Sequence, residues 1–226
     1  MDVIYFVKQS KTNDELKYSL RTLKNLPHDK VYFFGGCPDG LKPDVYVPIK
    51  QKGTKYDNVK MMYNHVVNSD VSNDFIMMND DFFIMDKIET IKPCFRCSMY
   101  EYIVRIENNY GMASTDYTRR LRKTTAALEQ AGLDTKCYEL HIPFVYNKEK
   151  LKIALQKFPN YKGTRSIYGN MFIKDADKIP DVKILKLNTP LPEGPFISTS
   201  DLTWKYFISE PIRQKFNKPS KYEIIE

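Results

Sequence analysis

The sequence of 226 residues contains no long hydrophobic run. A membrane-spanning helix needs about 20 consecutive apolar residues, and the apolar region of a secretory signal needs roughly 7–15. The apolar stretch at residues 3–7 is shorter than either, and no later stretch approaches the length of a span. We therefore expect a cytoplasmic protein without a membrane span.

Cysteine is also scarce, because the chain has only Cys37, Cys94, Cys97 and Cys137. In the cytosol these thiols are expected to be reduced. Cys94 and Cys97 form a C-x-x-C pair, but a second close pair is missing, and a four-thiolate zinc site usually has one. Buried thiols are therefore favoured over a zinc site.

Internal repeats and low-complexity tracts are absent, and the nine glycines and thirteen prolines are scattered. With 42% hydrophobic residues, a chain of this length can bury the core of one α/β domain, which we predict over residues 1–226. The net charge of +7 favours anionic partners such as nucleic acid, an anionic membrane or a nucleoside diphosphate. A solvated basic face explains the same charge equally well.

The first half of the chain alternates short strands with helices. Apolar runs predict strands at 3–7, 31–34, 45–47 and 75–78, and helical periodicity predicts helices at about 13–23 and 57–67. Thr12 or Asn13 can cap the first helix, with Asp14 and Glu15 in its first turn. This order is typical of an open, mostly parallel sheet flanked by helices, in which ligands bind at the carboxyl ends of the strands.

The second half is less regular. Periodicity predicts helices at 116–131 and 148–158, whereas 163–170 is predicted to be a polar loop. After Pro190 we expect mostly loop, with a short segment at 204–207. The first of these helices carries basic residues near its start, which indicate either an anionic acceptor or, in preference, a solvated face: Arg119, Arg120, Arg122 and Lys123.

An acidic turn, Asn79-Asp80-Asp81, directly follows the strand predicted at 75–78. Adjacent carboxylates at a buried strand end are costly unless a cation neutralises them. Mg²⁺ or Mn²⁺ takes one or two carboxylates and leaves positions open for phosphate oxygens. The turn therefore predicts a divalent metal at Asp80 and Asp81 that holds a diphosphate, although an ordinary Asx turn has the same residues.

Polar residues near other strand and helix ends could complete a nucleotide site. Asp2, before the first strand, could accept a hydrogen bond from a base or ribose, and Lys8, after it, could meet phosphate. Lys55 and Asn58 open a helix, where backbone N–H groups and an ammonium favour phosphate. Each of these residues is also compatible with a surface charge or a helix cap.

Three stretches resemble a known family when taken together: Asp2-Val3-Ile4-Tyr5, the run from Asn13 to Arg21, and Met78-Asn79-Asp80-Asp81-Phe82-Phe83. They resemble the Stealth-type sugar-phosphate transferases and, more closely, small glycosyltransferases that bacteriophages and bacteria encode. The similarity covers about the first 90 residues, with weaker echoes in Tyr138–Pro143, Arg165–Asn170 and Ser198–Asp201. A phage origin would place the protein in the host cytoplasm.

The resemblance implies a GT-A-like (Rossmann-like) fold, a nucleotide-sugar donor and metal dependence. It puts Asp80 and Asp81 on the metal and diphosphate, suggests His141 as a catalytic base or phosphate contact, and suggests Arg165 as a clamp on the transferred group. Residues 1–90 would then form the nucleotide-sugar half, and residues 91–226 the acceptor and catalytic half with the tail. The chain is shorter than Stealth proteins, which leaves open transfer of a sugar or of a sugar 1-phosphate.

The residues themselves allow these roles. The pKa range of histidine suits deprotonation of a hydroxyl, although His141 in an apolar segment is more often a core residue. The planar guanidinium of Arg165 can bind a diphosphate with two hydrogen bonds. Asp201, in a hydroxyl-rich loop, could orient the acceptor or cap a helix, and Trp204 could stack on a sugar, although a core position is favoured.

The favoured function is thus metal-dependent transfer from a nucleoside-diphosphate sugar, with UDP as first guess, to a hydroxyl of a glycan or a hydroxymethylated DNA base. A DNA-acting enzyme could use the basic cluster at 119–123 on phosphates. A nucleotidyltransferase or nuclease would need a second carboxylate cluster, for which Asp175 and Asp177 are weak candidates. A non-catalytic nucleic-acid-binding module is disfavoured because the basic residues are dispersed.

Overall fold

The computed structural model describes residues 1–110 and 115–224, with backbone alone at 109 and 110. The strands are β1 (Asp2–Val7), β2 (Val31–Gly35), β3 (Val45–Pro48), β4 (Asp74–Met78), β5 (Phe82–Ile84), β6 (Cys94–Phe95), β7 (Phe144–Asn147), β8 (Asp177–Lys178), β9 (Lys183–Ile184) and β10 (Phe196–Thr199). The helices are α1 (Asp14–Thr22), α2 (Lys55–Val67), α3 (Met99–Tyr110), α4 (Asp116–Gln130), α5 (Lys148–Lys157), α6 (Thr164–Phe172), α7 (Asp201–Thr203) and α8 (Ser209–Lys215). A 3₁₀ turn, Leu23–Asn25, follows α1, and a π-helical segment, Trp204–Ile208, joins α7 to α8.

The chain divides into two compact units. The first unit consists of Met1–Ile91, His141–Lys148 and Val182–Glu226, and the second consists of Lys92–Leu140 and Glu149–Asp181. Residues from 182 onward therefore share a unit with the N-terminal half. The predicted functional division at residue 90 stays a prediction.

The main sheet of the first unit has the strand order β3-β2-β1-β4-β7. The pairs β3-β2, β2-β1 and β1-β4 are parallel, and β7 runs antiparallel to β4 at the edge. This confirms the predicted mostly parallel sheet flanked by helices. The strands β1 and β2 are buried almost throughout, which explains why their sequences are continuous apolar runs.

Helix α1 begins where the sequence predicts. The side chain of Asn13 accepts a hydrogen bond from the backbone N–H of Leu16 at 2.9 Å and so caps the helix. The fully buried Leu16 and Leu20 face the apolar core of this unit, which also includes Val3, Tyr5 and Phe33. Burial of this face fixes the helix N-terminus beside the carboxyl end of β1, because only about six residues separate the two elements.

A smaller sheet in the same unit has the order β5-β10-β9. Strand β10 is antiparallel to β5 and parallel to β9, so that Ser198 pairs with Phe82 on one side and with Lys183 on the other. The strand β5 begins directly after the acidic turn. This second sheet therefore brings residues of β9 and β10 next to the turn.

The second unit is mostly helical. Its apolar core is formed by residues of α3, α4, α5 and α6, including Ile103, Leu121, Leu128, Ala154 and Ile167. The short strands β6 and β8 pair in parallel beside it. Helices α4 and α5 confirm the periodicity of the sequence to within a residue or two at their ends.

Two predictions of loop are wrong. Residues 163–170 were expected to be a polar loop, but α6 covers most of them, because only its first turn is polar and Ile167 and Tyr168 are buried. The tail after Pro190 forms β10, α7 and α8, whose apolar residues Ile208, Ile212 and Phe216 pack in a second core cluster of the first unit. Neither segment has enough local periodicity to predict this, since tertiary burial stabilises it.

Across residues 1–110 and 115–224, every helix is too short or too polar to cross a bilayer.

Candidate active site

The acidic turn joins β4 to β5 at the carboxyl end of a central strand of the main sheet. The backbone N–H of Phe82 donates to the carbonyl of Asn79 at 3.2 Å, which closes the turn. Met78 before it and Phe82 and Phe83 after it are almost fully buried. Because both flanks are anchored in the core, the backbone of Asp80 and Asp81 is held in place.

Asp81 is held by two donors from the smaller sheet. Its Oδ2 accepts a hydrogen bond from Lys183 Nζ at 2.9 Å and another from Ser198 Oγ at 2.9 Å. Lys183 and Ser198 are register partners in β9 and β10. The sequence analysis did not predict either contact, because Lys183 and Ser198 lie more than a hundred positions from Asp81; Ser198 was noted only as part of the hydroxyl-rich stretch 198–201.

Asp80 is held from the side of α1. Its Oδ2 accepts a hydrogen bond from Asn13 Nδ2 at 2.8 Å. Burial raises the pKa of Asp80, and the neighbouring Asp81 raises it further, whereas the hydrogen bond from Asn13 and the charge of Lys55 lower it. Lys55, a predicted phosphate contact, thus has an electrostatic influence on Asp80.

Glu15 is a further acid of this site. Its Oε1 accepts a hydrogen bond from Thr199 Oγ1 at 2.6 Å. Burial raises the pKa of Glu15 to about 7 despite that hydrogen bond, and the charges of Asp80, Asp81 and Asp201 contribute to the rise. From the sequence, Glu15 is an ordinary acidic residue in the first turn of a helix. The sequence does show that the first turn of α1 follows β1, which places Glu15 near the carboxyl edge of the sheet.

The other basic and amide residues predicted for phosphate lie at two places. Lys55 is the exposed first residue of α2, and Lys8 is exposed immediately after β1, at the same edge of the sheet as the acidic turn. The Oδ1 of Asn58 accepts a hydrogen bond from the backbone N–H of Lys52 at 2.9 Å. Asn58 thus holds the loop before α2, and its role toward a ligand stays a prediction.

Asp2 lies at the amino end of β1, opposite to the edge that carries the acidic turn. Its Oδ1 accepts from the backbone N–H of Lys30 at 3.1 Å, and its Oδ2 accepts from that of Ser72 at 2.8 Å. Both carboxylate oxygens therefore tie strand ends together. The structure does not bring Asp2 to the other predicted site residues, because a strand of six residues spans about 20 Å.

His141 and Asp201 both belong to the first unit. The ring of His141 lies edge-on to that of Phe82, with centroids 6.3 Å apart, and Phe82 directly follows Asp81 in the chain. Asp201 is the exposed first residue of α7, close enough to Glu15 to raise the pKa of that acid. Trp204 is buried and stacks on Phe83 at 5.2 Å, which confirms that it is a core residue.

Arg165 belongs to the second unit, at the start of α6. The side chain is buried, and its Nη1 donates to the carbonyl of Leu140 at 2.7 Å. This contact holds the backbone of Leu140, the residue before His141. The predicted clamp on a transferred group stays a prediction.

The basic start of α4 carries ion pairs on its exposed side. Arg120 Nε donates to Asp116 at 2.6 Å, and Arg122 Nη2 donates to Glu107 at 2.7 Å. Such exposed pairs have little effect on stability but do neutralise part of the basic surface. This arrangement fits the favoured interpretation of a solvated face.

The two carboxylates of the acidic turn could be protein ligands of a divalent cation. Among the described residues, no group of three or more His, Cys, Asp and Glu side chains is arranged to hold a metal ion. Among these residues the acidic side chains form no closed all-protein cage, and the cysteines are not grouped as the ligands of a four-thiolate site. Mg²⁺ and Mn²⁺ often use only one or two carboxylates and complete their shell with phosphate oxygens and water. Asp80 and Asp81 fit that kind of site, because they are adjacent, partly buried carboxylates and the charge of Asp81 raises the pKa of Asp80.

No protein-family model and no curated protein matches the chain. Among solved structures, it is similar to the galactosyltransferase LgtC in complex with donor and acceptor sugar analogues, with a TM-score of 0.51 and 7% identity over 100% of this chain and 98% of that chain. It is also similar to the glycosyltransferase GlyE of Streptococcus pneumoniae TIGR4 in its apo form, with a TM-score of 0.38 and 11% identity over 99% of this chain and 66% of that chain. At these values the likeness to LgtC shows the fold alone, which is the predicted GT-A-like fold, and the likeness to GlyE carries no further weight.

Proposed function

We propose that the chain is a metal-dependent glycosyltransferase that moves a sugar from a nucleoside-diphosphate sugar to a hydroxyl acceptor. The observation that carries the proposal is the acidic turn at the carboxyl edge of the sheet, where Asp80 and Asp81 accept hydrogen bonds from Asn13 and Lys183 and the charge of Lys55 lowers the pKa of Asp80. Ligands of open α/β sheets bind at this edge. A diphosphate bridged by a cation to the acids and contacted by the lysines would balance the charges of such a site.

The acidic turn would hold Mn²⁺ or Mg²⁺ through Asp80 and Asp81, and the cation supplies charge neutralisation of the departing diphosphate. Asn13 and Ser198 keep the two carboxylates aimed. Lys55 would add a positive charge near the phosphates.

The incoming hydroxyl requires a group that orients it or accepts its proton. His141 beside Phe82 and Asp201 beside Glu15 are the candidates for this role. Arg165 remains the proposed clamp on the transferring group. Lys8, Lys55 and Asn58 are the proposed contacts of the nucleotide and its phosphates.

UDP is the first donor nucleotide to test. The acceptor is proposed to be a glycan or a hydroxymethylated DNA base. The solved structure of LgtC contains donor and acceptor sugar analogues, which supports testing sugar acceptors first. The net charge of +7 favours the inclusion of anionic acceptors in the same screen.

The by-product separates two kinds of transfer. Attack at the anomeric carbon moves the sugar alone and releases the nucleoside diphosphate. Attack at the phosphorus next to the sugar, as in the Stealth-type alternative, moves the sugar 1-phosphate and releases the nucleoside monophosphate. Chromatography of the nucleotide products therefore identifies the reaction.

The test is hydrolysis of UDP-sugars without acceptor, with Mn²⁺ or with EDTA, preceded by a thermal-shift screen of donors with and without Mn²⁺. We expect Mn²⁺-dependent release of nucleotide that Asp81→Asn abolishes. This variant keeps an oxygen that can accept from Lys183 and Ser198, so the protein should stay folded. Asp86→Asn, in an exposed ion pair with Lys215, is the matched control and should behave as wild type.

Full metal-dependent turnover by Asp81→Asn would rule out the assigned metal site. Tight DNA binding that Asp81→Asn does not change, with a steep dependence on salt concentration and no turnover, would instead favour the nucleic-acid-binding module.

A further inference from the structure

Lys183 forms an ion pair with Asp81, one of the two proposed ligands of the cation. Its ammonium lies 2.9 Å from Asp81 Oδ2, and the buried hydroxyl of Ser198 donates to the same oxygen. The side chains of Lys183 and Asp81 are 21% and 15% exposed, so the pair is only partly screened by water. Asp81 is therefore neutralised by a cation of the protein itself.

A divalent ion and an ammonium cannot share this oxygen without strong repulsion. Like charges at the separation of neighbouring ligands repel strongly in a partly buried site, where water screens them only in part. A cation that binds through Asp81 must therefore compete with Lys183. The lysine side chain has a flexible stem of four carbons, and its partial exposure leaves it room to change conformation.

The anion that could accept the displaced ammonium is the diphosphate of the donor. Lysine is a common phosphate ligand that acts as a flexible point charge. Lys183 already contacts Asp81, so its flexible side chain could reach a diphosphate that binds at the acidic turn. Ser198 would stay on Asp81 and keep the carboxylate oriented.

We propose that Lys183 couples cation binding to donor binding by leaving Asp81 for the diphosphate of the donor. The inference rests on the proposed function and adds to it a positioning residue and an order of events. Without donor, Lys183 weakens the affinity for the cation. With donor, the lysine is drawn away, and the cation and the diphosphate each strengthen the binding of the other.

This coupling has a thermodynamic signature. The factor by which UDP raises the affinity for Mn²⁺ equals the factor by which Mn²⁺ raises the affinity for UDP. Direct bonds between cation and phosphate supply part of that factor in any variant. Lys183 supplies a further part, which disappears when its charge is removed.

The experiment measures Mn²⁺ binding, from the electron paramagnetic resonance signal of free Mn²⁺, with and without UDP, together with UDP binding in EDTA. Lys183→Met removes the charge and keeps the apolar stem. We expect it to bind Mn²⁺ alone at least about fivefold more tightly than wild type, to bind UDP alone more weakly, and to have a coupling factor at least about fivefold smaller. Lys183→Arg keeps a competing cation and should stay close to wild type in the affinity for Mn²⁺ alone.

Lys186→Met is the matched control, because Lys186 is an exposed lysine three residues away and should give wild-type values. If Lys183→Met does not fold, Lys183→Gln tests the same loss of charge. An affinity for Mn²⁺ alone that is unchanged or weaker in the uncharged variant overturns the coupling, while loss of Mn²⁺ binding in Asp81→Asn still upholds the metal site. A wild-type protein that binds neither Mn²⁺ nor UDP overturns the proposed function itself, and the coupling with it.

Discussion

Asn13 caps helix α1 with one atom of its amide and holds Asp80 with the other. Its Oδ1 accepts from the backbone N–H of Leu16 at 2.9 Å, and its Nδ2 donates to Asp80 Oδ2 at 2.8 Å. One side chain thus sets both the start of a helix and the direction of a carboxylate 67 residues away. The cap stabilises the helix, and the bond to Asp80 orients a carboxylate of the candidate site. Substitutions of Asn13 can therefore test the two effects separately.

Asn13→Ser should keep the cap and lose the contact with Asp80, because serine is an equally good cap but is too short to reach the acid. We expect a free energy of unfolding close to that of wild type and a weaker affinity for Mn²⁺ with UDP. Asn13→Ala should show the same weaker binding and also lose about 1 kcal/mol of stability. Urea denaturation and the Mn²⁺ titration measure the two effects. Wild-type binding by both variants would show that the bond to Asp80 has no part in the site.

Glu15→Gln should stabilise the protein only at neutral and alkaline pH. The pKa of Glu15 rises from 4.5 to about 7 on folding, chiefly through burial. Between these pH values the folded chain holds a proton that the unfolded chain has lost, so the contribution of Glu15 to stability falls as pH rises from 4.5 to 7. The glutamine stays neutral and keeps the oxygen that accepts from Thr199.

The difference in free energy of unfolding between Glu15→Gln and wild type should be smallest near pH 4. It should become about 2 kcal/mol more favourable to the variant above pH 7.5, which is less than full conversion of the shift because the site is partly hydrated. Urea denaturation across this range measures it. A difference that does not change with pH would contradict the elevated pKa.

Glu223 and Arg21 join the C-terminal segment to α1 through a buried ion pair. Nε and Nη2 of Arg21 donate to the two oxygens of Glu223 at 2.8 and 2.7 Å. Burial alone would raise the pKa of Glu223, but the hydrogen bonds from Arg21 and Ser220 hold it below its ordinary value. The stabilisation from this group is therefore present above pH 4.5 and is lost as pH falls through the lowered pKa.

Glu223→Gln should cost about 3 kcal/mol of stability at pH 7, because it leaves a buried guanidinium without its charge partner. The difference from wild type should shrink as pH falls below 4. Asp86→Asn, which breaks an exposed pair with Lys215, should cost less than about 1 kcal/mol and serves as the control. Equal costs for the two substitutions in urea denaturation would contradict the buried role of Glu223.

Gly169→Ala should destabilise the second unit although alanine favours helices. Gly169 lies in α6 against the ring of Tyr138, and a Cβ at this position would lie 2.4 Å from Cδ2 of that ring. Tyr138 is 1% exposed and cannot swing aside. We expect a loss of about 1–3 kcal/mol from overpacking.

Tyr138→Ala provides the matched background. With the ring removed, Gly169→Ala should become neutral or stabilising by up to about 1 kcal/mol, as helix propensity requires. Thermal unfolding of the four proteins gives the coupling between the two positions. Equal effects in both backgrounds would show that the ring does not limit the site.

The sequence predicts the elements whose signals are local. The strands β1, β2 and β4 are apolar runs because both faces of a parallel sheet are buried, and α1 has its cap and its apolar period within eleven residues. The helix α6 was missed because its first turn, Thr164 to Ser166, is polar, and its cap is Gly163 in a left-handed conformation. Its apolar face becomes decisive only once a core exists to cover it.

The part of the candidate site that the sequence predicts also depends on a local signal. Asp80 and Asp81 follow a strand that is evident from the sequence, so their place at the carboxyl edge could be expected. Asp2 belongs to a neighbouring strand of the same sheet, but it lies at the amino end of β1 and therefore at the opposite edge from the acidic turn. In parallel strands a residue before the strand lies at the amino edge and a residue after it at the carboxyl edge, so the order of the chain already separates Asp2 from the acidic turn.

By itself, the sequence determined the alternation of strands and helices, the cap of α1 and the acidic turn, because each depends on residues within about one element of one another. Only the tertiary structure decided which groups meet that turn. Lys183 lies 102 residues from Asp81, and Thr199 lies 184 residues from Glu15. Their encounter depends on the pairing of β9, β10 and β5, and strand pairing over such distances leaves no periodic trace in the sequence.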